Sequence, residues 1–281
     1  MAFDIERYKD TSRKLDLSDI DWDAVARHPL PQEAIDSMLY MMDIETHTVI
    51  FLSELLVSKA CMDPVITSFL SVWVYEEMYH GEAFLRFMRS YGIEIDDDRP
   101  RQIRVGEGMH RVSSVMAVLL GSYLLPFFPA VYLTIGATNE MTTLTAYQQL
   151  ISRAQHPILT QIIERIIKQE RIHFAFYRSQ AERLLTDSAI ARRSVRWVMQ
   201  HRFRTVGEGV KTSEEVDRLA MFLFDGDDGR RAVQAIDASI GRLPGLTGVN
   251  LLERVLDRAQ RRLGAPSGPG FGGRGPEVSP S

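Results

Sequence analysis

A nearly all-α fold is predicted, and three observations predict it. Apolar residues recur with helical periodicity through most of the chain. No run of alternating β-branched residues is bounded by Asn-Gly or Asp-Gly turns. Proline and short polar residues stand where helices would begin. The 281 residues are 45% hydrophobic and 25% charged, a composition and length that suffice for one large core or two modest ones.

In chain order, residues 1–32 read as an N-terminal arm and 33–263 as one helical domain. Pro31 suits the first turn of a helix over 33–60. Asp63 can cap, and Pro64 can open, a second helix over 64–91. A connector follows, with Asp96, Asp97, Asp98 and Pro100 in a polar loop and a helix over 106–125. Such a crossover permits bundle topologies beyond simple up-and-down. Two further long helices are expected over 127–155 and, opened by Pro157, over 157–186. Shorter amphipathic helices over 188–204, 213–224, 228–241 and 248–263 are expected to pack on the bundle's end, the second opened by Thr212 and Glu215 in a capping box. The glycine, proline and serine of 264–281 cannot bury enough apolar surface to offset their ordering, so disorder is expected there.

Net charge is −4, and basic residues are spread over helical faces rather than gathered with aromatics into a groove, so no nucleic-acid partner is expected. Cys61 is a single cysteine and 1–23 carries many acids, which points to a reducing cytoplasm. Residues 112–139 carry no charge and are long enough to span a bilayer. Pro126 and Pro129 interrupt them, Ser113, Ser114, Ser122 and Thr134 dilute them, and Glu140 follows directly. Two buried helices meeting near Pro126 are expected, and no transmembrane segment.

The second and fourth long helices each contain Glu-x-x-His, as Glu77 with His80 and Glu170 with His173. At that spacing both side chains leave one helical face. A carboxylate beside an imidazole suits first-row metals. The preceding helices offer one more carboxylate each, Glu45 at 32 residues before Glu77 and Glu140 at 30 before Glu170, which fits a helix, a turn and a return. One glutamate from each of two helices plus Glu-x-x-His from two others is the carboxylate-bridged di-iron ligand set of ferritin-like bundles. Two iron ions, Fe2+ or Fe3+, are expected, with manganese as the alternative metal. Glu77 and Glu170 are expected to bridge, with His80 and His173 terminal. The residues could instead be solvated helix faces, but Met41, Met42, Ile44 and Ile50 flank Glu45, Trp73, Phe84 and Phe87 flank His80, and Ile166, Ile167, Phe174 and Phe176 flank His173. Charge set into such faces needs partners or metal. His47 is two positions from Glu45 and points away, and His28, His110, His156 and His201 are read as surface or helix-end residues. Met38, Met41, Met42, Tyr123, Phe127, Phe128 and Tyr132 are read as core.

Trp73-Val-Tyr-Glu76-Glu77-Met-Tyr79-His80-Gly81 resembles the second ligand helix of the soluble acyl-carrier-protein desaturases, and Glu140-Met-Thr-Thr143 their third. The similarity runs over about residues 33–186. It implies a di-iron enzyme that takes electrons from a ferredoxin-like donor, reduces O2, and introduces a double bond into an acyl chain on acyl carrier protein. Thr143 would assist oxygen activation, and a homodimer is expected. The chain departs from the family with Gln169 for its aspartate, and with Tyr79 and Ile172 for its arginines. Gln169 removes a charge that could partner His80, so redox tuning is expected to differ.

Two other readings use the same metals. A di-iron hydroxylase or N-oxygenase is one, although N-oxygenases resembling this class carry a histidine where Ile166 stands. Ferritin-like iron handling is the other, against which the helices after 187 and the apolar third ligand helix argue for substrate binding.

Overall fold

The computed structural model describes residues 3–106 and 108–264, the side chains of 105–114 excepted. Eleven α-helices and two 3-10 turns make up its regular structure, and the described residues contain no strand beyond an isolated bridge between Glu208 and Lys211. The fold is all-α.

Four long helices frame the core: α2 (Gln32–Leu56), α3 (Pro64–Ser90), α6 (Phe128–Ala154) and α7 (Pro157–Thr186). The most extensive packing is α6 on α7 and α2 on α3, each pair an antiparallel return, and the pairs join through α3 on α7 and α2 on α6. Local chemistry sets the starts. Asp63 Oδ1 accepts the Val65 amide at 2.9 Å ahead of Pro64. His156 takes the same role before Pro157, its Nδ1 accepting the Leu159 amide at 3.2 Å. In α6, Thr134, Thr138 and Thr142 each return their hydroxyl to the carbonyl four residues back, so the helix buries these three without leaving their hydroxyls unpaired.

Between the hairpins run α4 (Arg99–Gly106) and α5 (Gly108–Leu124). The polar stretch expected to loop through Pro100 turns helical at Arg99, because proline is tolerated in a first turn. α5 and α6 meet at Pro126, but α5 is not buried all round: Met116, Leu120, Tyr123 and Leu124 are exposed, where Tyr123 was expected in the core. Among the described residues no helix is long and apolar enough to cross a membrane.

After Asp187 come α8 (Ala189–His201), α9 (Ser213–Phe224), α10 (Gly226–Gly241) and α11 (Leu251–Gly264). α9 opens with the Thr212 and Glu215 capping box. It packs on α2 and α6, and α10 packs on α6, so these helices cover one flank of the frame rather than only its end. The glycine-rich tail beyond Gly264 lies outside the described residues.

The N-terminal arm is ordered into α1 (Ile5–Thr11) and a 3-10 turn over Trp22–Arg27, and it packs on α3 with Tyr8 and Val25 buried.

Candidate metal centre

The centre is built where the four long helices face one another. α2 supplies Glu45, α3 Glu77 and His80, α6 Glu140, and α7 Glu170 and His173. All six are between 0 and 7% exposed. They form two overlapping groups, Glu45-Glu77-His80-Glu170 and Glu77-Glu140-Glu170-His173, whose ligand atoms lie within 4.8 Å of one another in each group. Glu77 and Glu170 belong to both. The buried Glu and His side chains could therefore hold metal ions.

Both imidazoles turn Nδ1 toward the carboxylates. His80 Nδ1 lies 3.2 Å from Glu170 Oε1 and 3.7 Å from Glu77 Oε2; His173 Nδ1 lies 3.0 Å from Glu77 Oε1 and 3.3 Å from Glu170 Oε2. No lysine or arginine pairs with the four carboxylates among the described residues, so the two imidazoles are their only ion-pair partners there. Four buried carboxylates cannot all carry charge without added protons or a cation. The titration directions express that strain. Burial, then the charge of Glu77, pushes Glu45 well above the usual carboxylate range. Burial and the charges of Glu170 and Glu77 do the same to Glu140. Burial also works against Glu77, but the close Glu45, His173 and His80 side chains outweigh it and hold Glu77 well below that range. For His80 burial favours the neutral ring, yet Glu170 and Glu77 outweigh it and push it up to about 9.

The donor set fits metal. His80 Nδ1 and Glu170 Oε1 are buried and lack a hydrogen bond of good geometry, although they face each other at 3.2 Å. Inward-facing donor atoms left without hydrogen bonds in an acidic, lysine-free pocket are what a first-row cation would satisfy.

A surrounding layer orients these ligands. Trp73 Nε1 donates to Glu140 Oε1 at 3.1 Å, and the Tyr147 hydroxyl donates to Glu45 Oε1. His173 Nε2 meets Glu76 Oε2 at 2.7 Å, and His80 Nε2 meets Gln169 Oε1 at 2.9 Å. Gln169 thus does reach His80, as an amide in place of a charge. Glu76 also accepts from Tyr8 at 2.7 Å and Ser12 at 2.9 Å, both in the N-terminal segment. The sequence reading missed Tyr8, Ser12 and Tyr147. Tyr147 carried a signal, standing two helical turns after Glu140, whereas nothing local marks Tyr8 or Ser12.

Thr143 lies one turn after Glu140 and outside the ligand groups. It lines an apolar cavity of about 70 Å3, room for roughly five groups of water size. Glu45, Tyr147, Leu219, Phe224 and Leu252 share the wall, so the cavity lies between the α2 and α6 side of the centre and the C-terminal helices. Of the remaining histidines, His47 is buried rather than at the surface, packing edge-on to Phe51, and His156 takes the expected helix-end place, buried between the α7 start and the Val25 carbonyl. His201 is exposed and stacks on Trp197; the His110 side chain lies outside the described residues.

Comparison of the chain with protein-family models, with curated proteins and with solved structures finds no match.

Proposed function

We propose that the chain is an O2-dependent, non-haem di-iron oxidoreductase of ferritin-like architecture, acting on an apolar chain carried by an acyl carrier protein in the manner of the acyl-carrier-protein desaturases. The observation that carries this reading is a pair of four-ligand groups sharing Glu77 and Glu170, with Glu45 of one group forming the wall of an apolar cavity. Glu45, Glu77, His80, Glu140, Glu170 and His173 would hold two metal ions, Glu77 and Glu170 standing in both ligand groups. Bound iron would supply the electrons for O2 reduction and the oxidising power to break an unactivated C–H bond.

The chain's own residues do the rest. Tyr147 and Trp73 hold Glu45 and Glu140 in place by hydrogen bonds, and Glu76 and Gln169 fix the two rings. The cavity wall of Met41, Ile44, Val216, Leu223 and Phe224 excludes water and favours a hydrocarbon segment beside Glu45. Thr143, on the same wall, brings a hydroxyl that would hydrogen-bond O2 there. Removing two hydrogens while reducing O2 to two waters needs two further electrons, for which a ferredoxin-like donor is the proposed source.

The test is a single turnover. Iron-loaded protein is reduced anaerobically, mixed with a panel of acyl-carrier-protein substrates and O2, and the acyl products are weighed by mass spectrometry. Loss of two hydrogens supports desaturation, and gain of one oxygen moves the reading to hydroxylation at the same metals. An unchanged panel, with the iron oxidised, rejects these acyl substrates and moves the reading to a different substrate or to iron handling.

A further inference from the structure

The two halves of the centre are matched in their inner ligands and unmatched in what stands behind them. Each half has one unshared carboxylate with one side-chain donor on it, phenol on Glu45 and indole on Glu140, and both share Glu77 and Glu170. The outward Nε2 atoms differ. His173 Nε2 faces Glu76 Oε2 at 2.7 Å, and because a carboxylate only accepts, the ring donates. Glu76 is held as an acceptor by three further donors, Tyr8 at 2.7 Å, Ser12 at 2.9 Å and Gln169 Nε2 at 3.0 Å.

His80 Nε2 faces Gln169 Oε1 at 2.9 Å instead. That amide cannot be the other way round. Its Nε2 donates both to the Arg13 carbonyl at 2.9 Å and to Glu76 Oε1 at 3.0 Å, and neither of those oxygens can donate back. Both rings therefore donate outward and keep Nδ1 for the centre, but one is backed by a charge and the other by a neutral amide. A carboxylate behind an imidazole makes it the more basic donor, and changes at this outer layer shift metal affinity typically about 10–100-fold.

We propose that the centre is two unequal metal sites: a tight one at Glu77-Glu140-Glu170-His173 that fills first, and a weaker, exchangeable one at Glu45-Glu77-His80-Glu170. The weaker site is the one facing the apolar cavity, since Glu45 lines that cavity while Glu140 is turned to Trp73. The inference rests on the two-metal reading above and adds an order of filling and a direction to it. The ion beside the cavity is the one that exchanges, and the ion beside Glu76 stays.

Anaerobic titration of the metal-free full-length protein with Co2+, followed by visible absorption and calorimetry, tests this without any turnover. Two phases of one equivalent each are expected, their dissociation constants about 10–100-fold apart. Glu76→Gln should weaken the tight phase about tenfold and bring the two together, while Gln169→Leu should weaken the loose phase, which loses its outer partner, more than the tight one, where Glu76 keeps Tyr8 and Ser12. Glu45→Ala should remove the loose phase alone. Circular dichroism checks folding, and either outer-layer variant suffices if the other fails to fold. Two equal phases in the parent, or a Glu76→Gln effect confined to the loose phase, overturns the proposal and leaves the two-metal reading standing. Uptake of fewer than two equivalents overturns both.

Discussion

Replacing Lys211 by methionine keeps its methylene stem and removes its ammonium from Asp43. Asp43 stands on α2 two residues before Glu45 and is 1% exposed. Arg99 grips both its oxygens, Nε to Oδ1 at 2.7 Å and Nη2 to Oδ2 at 2.7 Å, and Lys211 Nζ adds a third bond to Oδ2 at 2.6 Å. The cluster ties α4 and the segment before α9 to the helix that carries Glu45. A hydrogen bond to a charged group nets about 1.5–3 kcal/mol. Arg99 still neutralises Asp43 in the variant, so the expected loss is about 2 kcal/mol, short of the roughly 3–5 kcal/mol of a buried charge left alone. At about 2–4 °C per kcal/mol, the melting temperature falls by about 4–8 °C. Arg99→Met should cost a similar amount. The double variant strips Asp43 of both counter-charges and should lose at least about 1 kcal/mol more than the sum of the singles. Arg218→Met is the control: its pair with Glu214 is 68% and 64% exposed, and its loss should stay under about 0.5 kcal/mol. The assay is thermal and urea unfolding of the four variants at one pH. A Lys211→Met loss as small as the control's, or strict additivity in the double variant, would refute the reasoning.

Three further outcomes are expected. His173→Ala should lower bound iron, measured by elemental analysis, while the helical signal stays largely intact; unchanged iron content would remove His173 from the ligand set. His156 is held neutral, burial being the main cause of a pKa below its ordinary 6.5, so its contribution is full above pH 6.5 and is lost as pH falls through the lowered value. Urea unfolding at pH 7.5 and 5.5 should therefore show a smaller acid loss in His156→Asn, which keeps a capping oxygen without the titration, and equal losses in both proteins would contradict this. Gly207 sits at φ +86° where a Cβ would land on the Tyr40 hydroxyl, so Gly207→Ala should cost about 1–3 kcal/mol and break the Tyr40 to Val206 hydrogen bond, read from thermal unfolding and from tyrosine fluorescence.

Much of the frame was legible because its signals are local. Asp63 with Pro64, Pro157, and Thr212 with Glu215 act within one turn of their own helix, and the structure starts α3, α7 and α9 at those points. The Glu-x-x-His spacing of Glu77 with His80 and of Glu170 with His173 is equally local, and periodicity alone puts each pair on one face. The connector was less legible, since Pro100 is equally at home in a loop and in a first turn. The elements of the N-terminal arm were not read because its anchor Tyr8 is fixed by a carboxylate 68 residues away.

From the sequence alone came the all-α class, the four long helices and the six side chains able to meet at a metal, because helix faces follow from spacing along one element. The tertiary structure decided what stands behind those six: Tyr147 on Glu45 across 102 residues, Trp73 on Glu140 across 67, Glu76 on His173 across 97, and an amide rather than an acid on His80 across 89. It also decided that α9 to α11 close an apolar cavity against Glu45. Such pairings depend on the rotation and stagger of one helix against another. Those are set by packing summed over the whole core, and no segment of sequence read by itself contains them.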